Sequence, residues 1–243
     1  MIIADDLHKS FGVVQAVRAV SFTAADGRIT GLLGPNGAGK STTLRMLSTI
    51  LRPDRGQASI NGLDTVNQAL AARRHIGVLS HNAGVYPNLT ARENILYFGE
   101  LYGMTLTDRE QRADELIELL EMRDFAARRA KGFSQGQRMK TALARALVHQ
   151  PRNVILDEPT NGLDVMAVRN LRQLLGVLRQ SGYCVLLSSH VMQEVASLCD
   201  EVTVIANGTV VASGTPDVLR AQAGSDNLEE AFVRLTHLTG PAT

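Results

Sequence analysis

Two groups of residues carry chemistry that folding alone does not require. The first is Gly34-Pro35-Asn36-Gly37-Ala38-Gly39-Lys40-Ser41, with Thr42 behind it. A glycine-rich loop leading from a strand into a helix points several backbone N–H groups at one place. The helix N-terminus adds partial positive charge there. Gly34, Gly37 and Gly39 permit backbone angles and close approach that a side chain would block. Lys40 can then reach the β- and γ-phosphates of a nucleoside triphosphate such as ATP, and Ser41 can place its hydroxyl on Mg²⁺. The second group closes the apolar run Ile155-Leu156 with two carboxylates, Asp157 and Glu158. Asp157 can hold Mg²⁺ directly or through water. Glu158 then stands beside the γ-phosphate, in reach of an attacking water, as a general base.

Both groups need a sheet to position them. Residues 17–22 and 29–33 are β-rich, and the second of these runs into the phosphate loop; residues 40–50 continue it as a helix. Strands are expected at 57–60 and 77–79. The middle of the chain changes character. Thr90-Ala91-Arg92-Glu93 is a capping box opening an amphipathic helix to about Tyr102. Thr107-Asp108-Arg109-Glu110 is a second, leading to about Met122. Ser134-Gln135-Gly136-Gln137 is a third, leading to about His149. After Pro151 strands and helices alternate again: strand 153–156, helix 165–180 stopped at Gly182, strand 184–188, helix 191–198, and a hairpin turning at Asn207-Gly208. Alternation of this kind predicts a parallel α/β core. The helix-only stretch of about 84–148 is read as a subdomain inserted in a nucleotide-binding domain of residues 2–220. Residues 221–243 form a helical tail with Leu228, Phe232, Val233 and Leu235 on one face.

Composition narrows the partners. The 243 residues carry 25 basic and 24 acidic side chains, a net charge of +1 that offers no strong field for nucleic acid. Only 4% are aromatic and Trp is absent, so a platform for stacking nucleobases is not expected. Cys184 and Cys199 form neither a disulfide framework nor a zinc spacing. The Met1-Ile2-Ile3-Ala4-Asp5-Asp6 start has no signal-peptide character, and no run of 18 apolar residues occurs. Any membrane role therefore calls on another, membrane-spanning polypeptide.

Ser134-Gln135-Gly136-Gln137 caps a helix, and a capped helix start with a glycine nearby is also an anion site. Its place after a helical insertion and before an acidic strand resembles the nucleotide-binding subunit of ABC transporters. Phe133-Ser134-Gln135-Gly136-Gln137 is similar to that family's signature Leu-Ser-Gly-Gly-Gln, with Phe133 for Leu and Gln135 for Gly. The resemblance covers residues 2–220. It implies an α/β P-loop NTPase (RecA-like) core with a small N-terminal antiparallel β subdomain and an inserted α-helical subdomain. It also implies an ATP hydrolase working as a dimer, each site pairing the phosphate loop of one copy with the signature helix of the other. Ser134, Gly136 and Gln137 would then touch the γ-phosphate of the partner's ATP. Phe11 matches the aromatic that stacks on adenine, and His190 the histidine that contacts the γ-phosphate and helps orient water. Asp164 matches the loop that reaches across the dimer, and is also a helix N-cap. A second copy, a transmembrane permease and a place on the cytoplasmic face of the cell membrane are implied with it.

One position departs from the pattern. The family ends the strand that here reads Ile76-Gly77-Val78-Leu79-Ser80 with a Gln that touches Mg²⁺ and the attacking water. This chain has His81 there, followed by Asn82. Imidazole can accept from water or bind a metal, but it is shorter, and histidine is the side chain that titrates near neutrality. Turnover is therefore expected to respond to His81 protonation; the role falls to His81 or to Asn82, or the contact is weakened. Gly84-Val85-Tyr86-Pro87-Asn88-Leu89-Thr90-Ala91-Arg92-Glu93-Asn94 resembles the segment that meets a permease. Together with residues 33–48 and 51–56 and the tail Asn227-Leu228-Glu229-Glu230-Ala231-Phe232, it is most similar to exporters with a separate ABC-2-type permease, and with Asn61-Gly62-Leu63-Asp64-Thr65 to the sodium-export (NatA-type) ATPases above all. The alternative is a soluble ABC ATPase without a membrane partner.

Overall fold

The computed structural model describes residues 1–81 and 83–237. Two long antiparallel strands, β1 (Ile2–Phe11) and β2 (Val14–Ala24), open the chain. β3 (Ile29–Leu33) then enters the interior, with every residue buried. α1 (Lys40–Leu47), β4 (Arg55–Ile60), β5 (Leu63–Asp64), α2 (Ala69–Arg73) and β6 (Ile76–Leu79) follow. Three helices, α3 (Ala91–Leu101), α4 (Leu106–Leu119) and α5 (Gln135–Leu147), separate β6 from its sheet partner β7 (Asn153–Asp157). The remainder runs α6 (Val165–Gln180), β8 (Cys184–Ser189), α7 (Met192–Leu198), β9 (Glu201–Ala206), β10 (Thr209–Gly214), α8 (Pro216–Ala223) and α9 (Leu228–His237).

The strands form two sheets. One is antiparallel, in the order β2-β1-β4-β5; the other is ordered β10-β9-β3-β8-β7-β6 and is parallel except for the β9–β10 hairpin. Parallel strands are covered on both faces, so they need unbroken apolar runs rather than alternation. β7 and β8 meet that need, being buried along their whole length. Leu44, Met46 and Leu47 of α1 share a core with Ile2, Leu7, Val20 and Ile60 of the antiparallel sheet. The inserted helices bury Ile95, Leu116 and Leu143 in a second core with Leu79, Leu156 and Leu187. This is the expected P-loop NTPase fold, with an antiparallel N-terminal sheet and an inserted helical part.

Several element ends differ from the sequence expectation, each for a local reason. α4 is capped by Thr105 and not by Thr107: Thr105 has extended backbone, and its Oγ1 accepts from the Asp108 amide at 3.1 Å. α1 stops at Leu47 rather than Ile50, because Thr49 takes a left-handed φ of 63°. In α9, Leu228, Phe232 and Leu235 are buried but Val233 is 46% exposed, since the residue after Phe232 is turned about 100° away from its face. Cys184 and Cys199 are buried free thiols, and burial pushes them up to about 11 and about 12, far from reactive thiolates.

Candidate nucleotide site

Four neighbouring parallel strands, β3, β8, β7 and β6, end at one edge of the sheet. The pairs Leu33 with Ser189, Asp157 with Ser188, and Leu79 with Leu156 set the level. Chain leaving that edge meets in the crevice where ligands of open α/β sheets sit. β3 delivers the phosphate loop, β7 Asp157 and Glu158, β8 His190, and β6 Ser80 and His81. Together with Phe11, at the end of β1, these residues line a cavity of about 720 Å³.

The loop is shaped by what glycine leaves out. A Cβ on Gly34 would collide with the Ile205 carbonyl oxygen, and one on Gly39 with that of Ala16; Gly39 also holds a φ of 103°. α1 has no side-chain cap, so its first amides are left for an anion. Asn36, Gly37, Ala38, Gly39, Lys40, Ser41 and Thr42 line the cavity. Gly34 and Pro35 stand behind it: their carbonyls accept from the Lys40 ammonium at 2.8 and 3.2 Å. Lys40 is 5% exposed and lies 3.4 Å from Glu158 Oε1.

The carboxylates are equally fixed. Asp157 Oδ1 accepts from Ser41 Oγ at 3.0 Å and from Ser188 Oγ at 2.7 Å. The Glu158 amide donates to Ser188 Oγ at 3.0 Å. Glu158 Oε2 lies 2.8 Å from His190 Nδ1, which donates here because a carboxylate can only accept. Glu158 also adopts a φ of 52°, a conformation L-residues rarely take and one that recurs where a side chain must be aimed at a site. Its carboxyl group, 10% exposed, is thus held at one oxygen by an imidazole and approached at the other by an ammonium. The sequence offers only a weak signal for Ser188: two hydroxyls, Ser188 and Ser189, close an otherwise apolar buried strand.

His81 is exposed and lines the cavity beside Ser80, Asp157 and Glu158. Asn82 lies outside the described residues. Phe11 is half exposed at the cavity rim, its ring centroid 5.9 Å from the Lys9 ammonium. Ser134, Gly136, Gln137 and Asp164 do not line the cavity. Ser134 and Gln137 close a reciprocal capping box at the start of α5, and Asp164 Oδ1 caps α6 by accepting from the Ala167 amide at 2.8 Å. The residues that do converge suit a nucleoside triphosphate and Mg²⁺. Uncapped amides and a buried ammonium face phosphate, and a hydroxyl already bonded to a carboxylate gives hard oxygen ligands. Among the described residues no group of three His, Cys, Asp or Glu could hold a metal ion by itself.

A phosphate loop on a central parallel strand, with carboxylates ending a neighbouring strand, defines a P-loop nucleoside triphosphatase. Residues 17–161 match the family described as ABC transporter, and the chain belongs to that family. It is 42% identical over 222 residues to the ABC transporter ATP-binding protein NatA of Bacillus subtilis (strain 168), covering 91% of this chain and 90% of that one. A solved ATP-binding subunit of an ABC transporter superposes with a TM-score of 0.88 at 29% identity, covering 97% of this chain and 99% of that one. The cassette MJ0796, solved as a dimer in a post-hydrolysis state with ADP and Pi, superposes with a TM-score of 0.78 at 26% identity over 88% and 98% of the chains. The protein is an ATP-binding cassette that hydrolyses ATP. Among the described residues no helix is long and apolar enough to cross a membrane.

Proposed function

We propose that this cassette powers export through a separate ABC-2-type permease, from the cytoplasmic face of the cell membrane, as one half of a dimer. Sodium is the cargo that the NatA-type resemblance suggests. The carrying observation is the split of the site. Phosphate loop, Asp157, Glu158, His190 and His81 line one cavity, while Ser134, Gly136 and Gln137 lie outside it. That split supports a signature helix that serves an ATP other than the one in its own chain. The dimeric relative supports a second copy as the holder of that ATP. Residues 2–220 form the cassette proper, with 84–148 inserted and 221–243 as a tail.

Within one site, the amides of the loop and α1 would cradle the phosphates while Lys40 turns from Glu158 to a γ-phosphate oxygen. Phe11 would offer its ring face to adenine. Ser41 and Asp157, with His81 in the same cavity, would hold Mg²⁺, which supplies charge against the phosphate oxygens. Glu158 takes the proton of the attacking water as the water oxygen bonds to phosphorus and the bond to the ADP oxygen breaks. His190 holds the Glu158 carboxylate in place and orients the water. Asp164 and its loop would reach across to the partner.

Glu158→Gln tests both halves of this reading. The amide cannot take the proton, so turnover should fall by about 10²–10⁴-fold. It also removes the negative charge next to Lys40, so MgATP should still bind and hold two chains together. A monomer by light scattering at saturating MgATP would reject the sandwich. The export reading has its own test: a tagged chain, produced with the membrane proteins encoded beside it, should carry a polytopic protein through detergent purification. Recovery as a soluble species without one favours the soluble ATPase instead.

A further inference from the structure

Gln135 stands where the related signature has glycine, and its side chain does something glycine cannot. It is the first residue of α5, and its Nε2 donates to the Asn161 carbonyl at 2.7 Å. The carboxamide also lies against Gly162. A Cβ built on Gly162 would come 2.7 Å from Gln135 Oε1 and 2.8 Å from Cδ, and Gly162 has a φ of 71°. One residue on, a Cβ at Gly136 would meet the Ala167 methyl at 3.6 Å, in the first turn of α6. The start of the signature helix is therefore clasped to the loop 158–164 of its own chain. That loop is short and tied to the site: the Asn161 amide donates to the Glu158 carbonyl at 3.1 Å, and Asn161 lines the nucleotide cavity. A second cavity, of about 410 Å³, separates α5 from the ends of β6 and β7 and is bounded by Gln135, Asn161, His81 and Glu158. The Gln135–Asn161 bond spans that gap between the inserted helices and the parallel sheet.

We propose that Gln135 is a positioning residue that couples the two ATP sites of the dimer. This rests on the sandwich reading above. In the sandwich, Ser134 and Gly136 act on the ATP of the partner, whereas Glu158 acts on the ATP of its own chain. The amide clasp joins these two groups within one chain by way of Asn161. When the partner's γ-phosphate draws the signature helix in, Asn161 moves with it, and the hydrogen-bonded turn passes the shift to Glu158. Occupancy of one site thereby sets the aim of the general base in the other. With Gly or Ala at position 135 the helix start and the loop can move separately.

The test is the MgATP dependence of steady-state hydrolysis by the full chain. Two sites permit a Hill coefficient of up to about 2; the wild type is expected to lie clearly above 1, and Gln135→Ala to fall to about 1. The Kd of the single chain for a fluorescent ATP analogue should stay within about twofold, because Gln135 does not touch the phosphate loop. Gly162→Ala, which displaces the carboxamide from the other side, should lower the Hill coefficient in the same way, and Gln135→Ala/Gly162→Ala should lower it no further. Gln135→Gly, which places the related residue, guards against a folding defect particular to Ala. A wild-type coefficient of 1, or a coefficient unchanged in Gln135→Ala, overturns the coupling while a dimeric Glu158→Gln leaves the sandwich standing. A monomeric Glu158→Gln removes both.

Discussion

Lys40 is surrounded by acceptors alone: two loop carbonyls and the Glu158 carboxylate. An ammonium so placed preorders the loop and waits for a stronger partner, which a triphosphate supplies. Lys40→Ala removes the loop's internal anchor and the phosphate's counter-charge together. Hydrogen bonds to charged groups contribute about 1.5–3 kcal/mol, so the Kd for MgATP should rise roughly 10- to 150-fold by titration calorimetry; an unchanged Kd would mean that the loop amides bind phosphate without it. His81 poses a different question, since it stands at the strand end where a Gln is expected and shares the cavity with Asp157 and Glu158. The imidazole is shorter than the carboxamide of Gln, so it presents its polar atom at a different depth in the cavity. The kcat of His81→Gln for MgATP should therefore differ from that of the wild type at the same pH. An unchanged kcat would remove His81 from the reaction.

At the scale of elements, the segment before α3 is held by buried polar side chains. Asn94, wholly buried, accepts from the Tyr86 amide at 2.9 Å and donates to the carbonyls of Tyr86 at 3.2 Å and Thr90 at 2.8 Å. Arg145 of α5 donates to the Gly84 carbonyl at 2.6 Å, with its guanidinium 3.7 Å over the Phe98 ring. These contacts fix 84–90, whose exposed Tyr86 ring meets that of Tyr97 edge to face at 5.3 Å. Asn94→Ala would leave a buried amide without a partner, which costs about 1–3 kcal/mol. Urea unfolding should show that loss, and hydrogen exchange should quicken first at residues 84–90; uniform exchange would contradict a local role. The sequence made the helices and buried strands legible because their periods and caps are local: Thr90, Ser134 and Asp164 all cap the helices expected of them. It misplaced the α4 cap because Thr105 and Thr107 both precede Asp108 closely, and only backbone geometry chooses between them. The phosphate loop and the Asp157-Glu158 pair were legible as contiguous motifs. The Ser188 bridge and the Gln135 clasp were not, because their partners lie 31 and 26 residues away.

For the molecule as a whole, His149 joins the inserted helices to the parallel sheet. Its ring stacks on Tyr102, just past α3, with centroids 3.6 Å apart and an interplanar angle of 8°. Its Nε2 donates to the Ile76 carbonyl of β6 at 3.0 Å, and Nδ1 is buried with no partner among the described residues. Burial disfavours the imidazolium and lowers the pKa to about 4, against 6.5 for a free side chain. The unfolded chain therefore binds a proton between pH 6.5 and 4 that the folded chain refuses. Stability from this residue is complete above pH 6.5, falls as pH drops through that window, and is lost once pH reaches about 4. The full effect is of order 3 kcal/mol, at 1.36 kcal/mol per unit. Because the imidazole is packed against both parts of the fold, protonation should loosen the helical part from the sheet rather than fray an end. His149→Gln can still donate to Ile76 but has no titrating group. It should be less stable than wild type at pH 7.5, where it loses the stacked ring, yet lose less stability between pH 7.5 and 4.5. Urea midpoints at those two pH values measure the difference. An equal acid sensitivity in both proteins would place the acid-labile contact elsewhere.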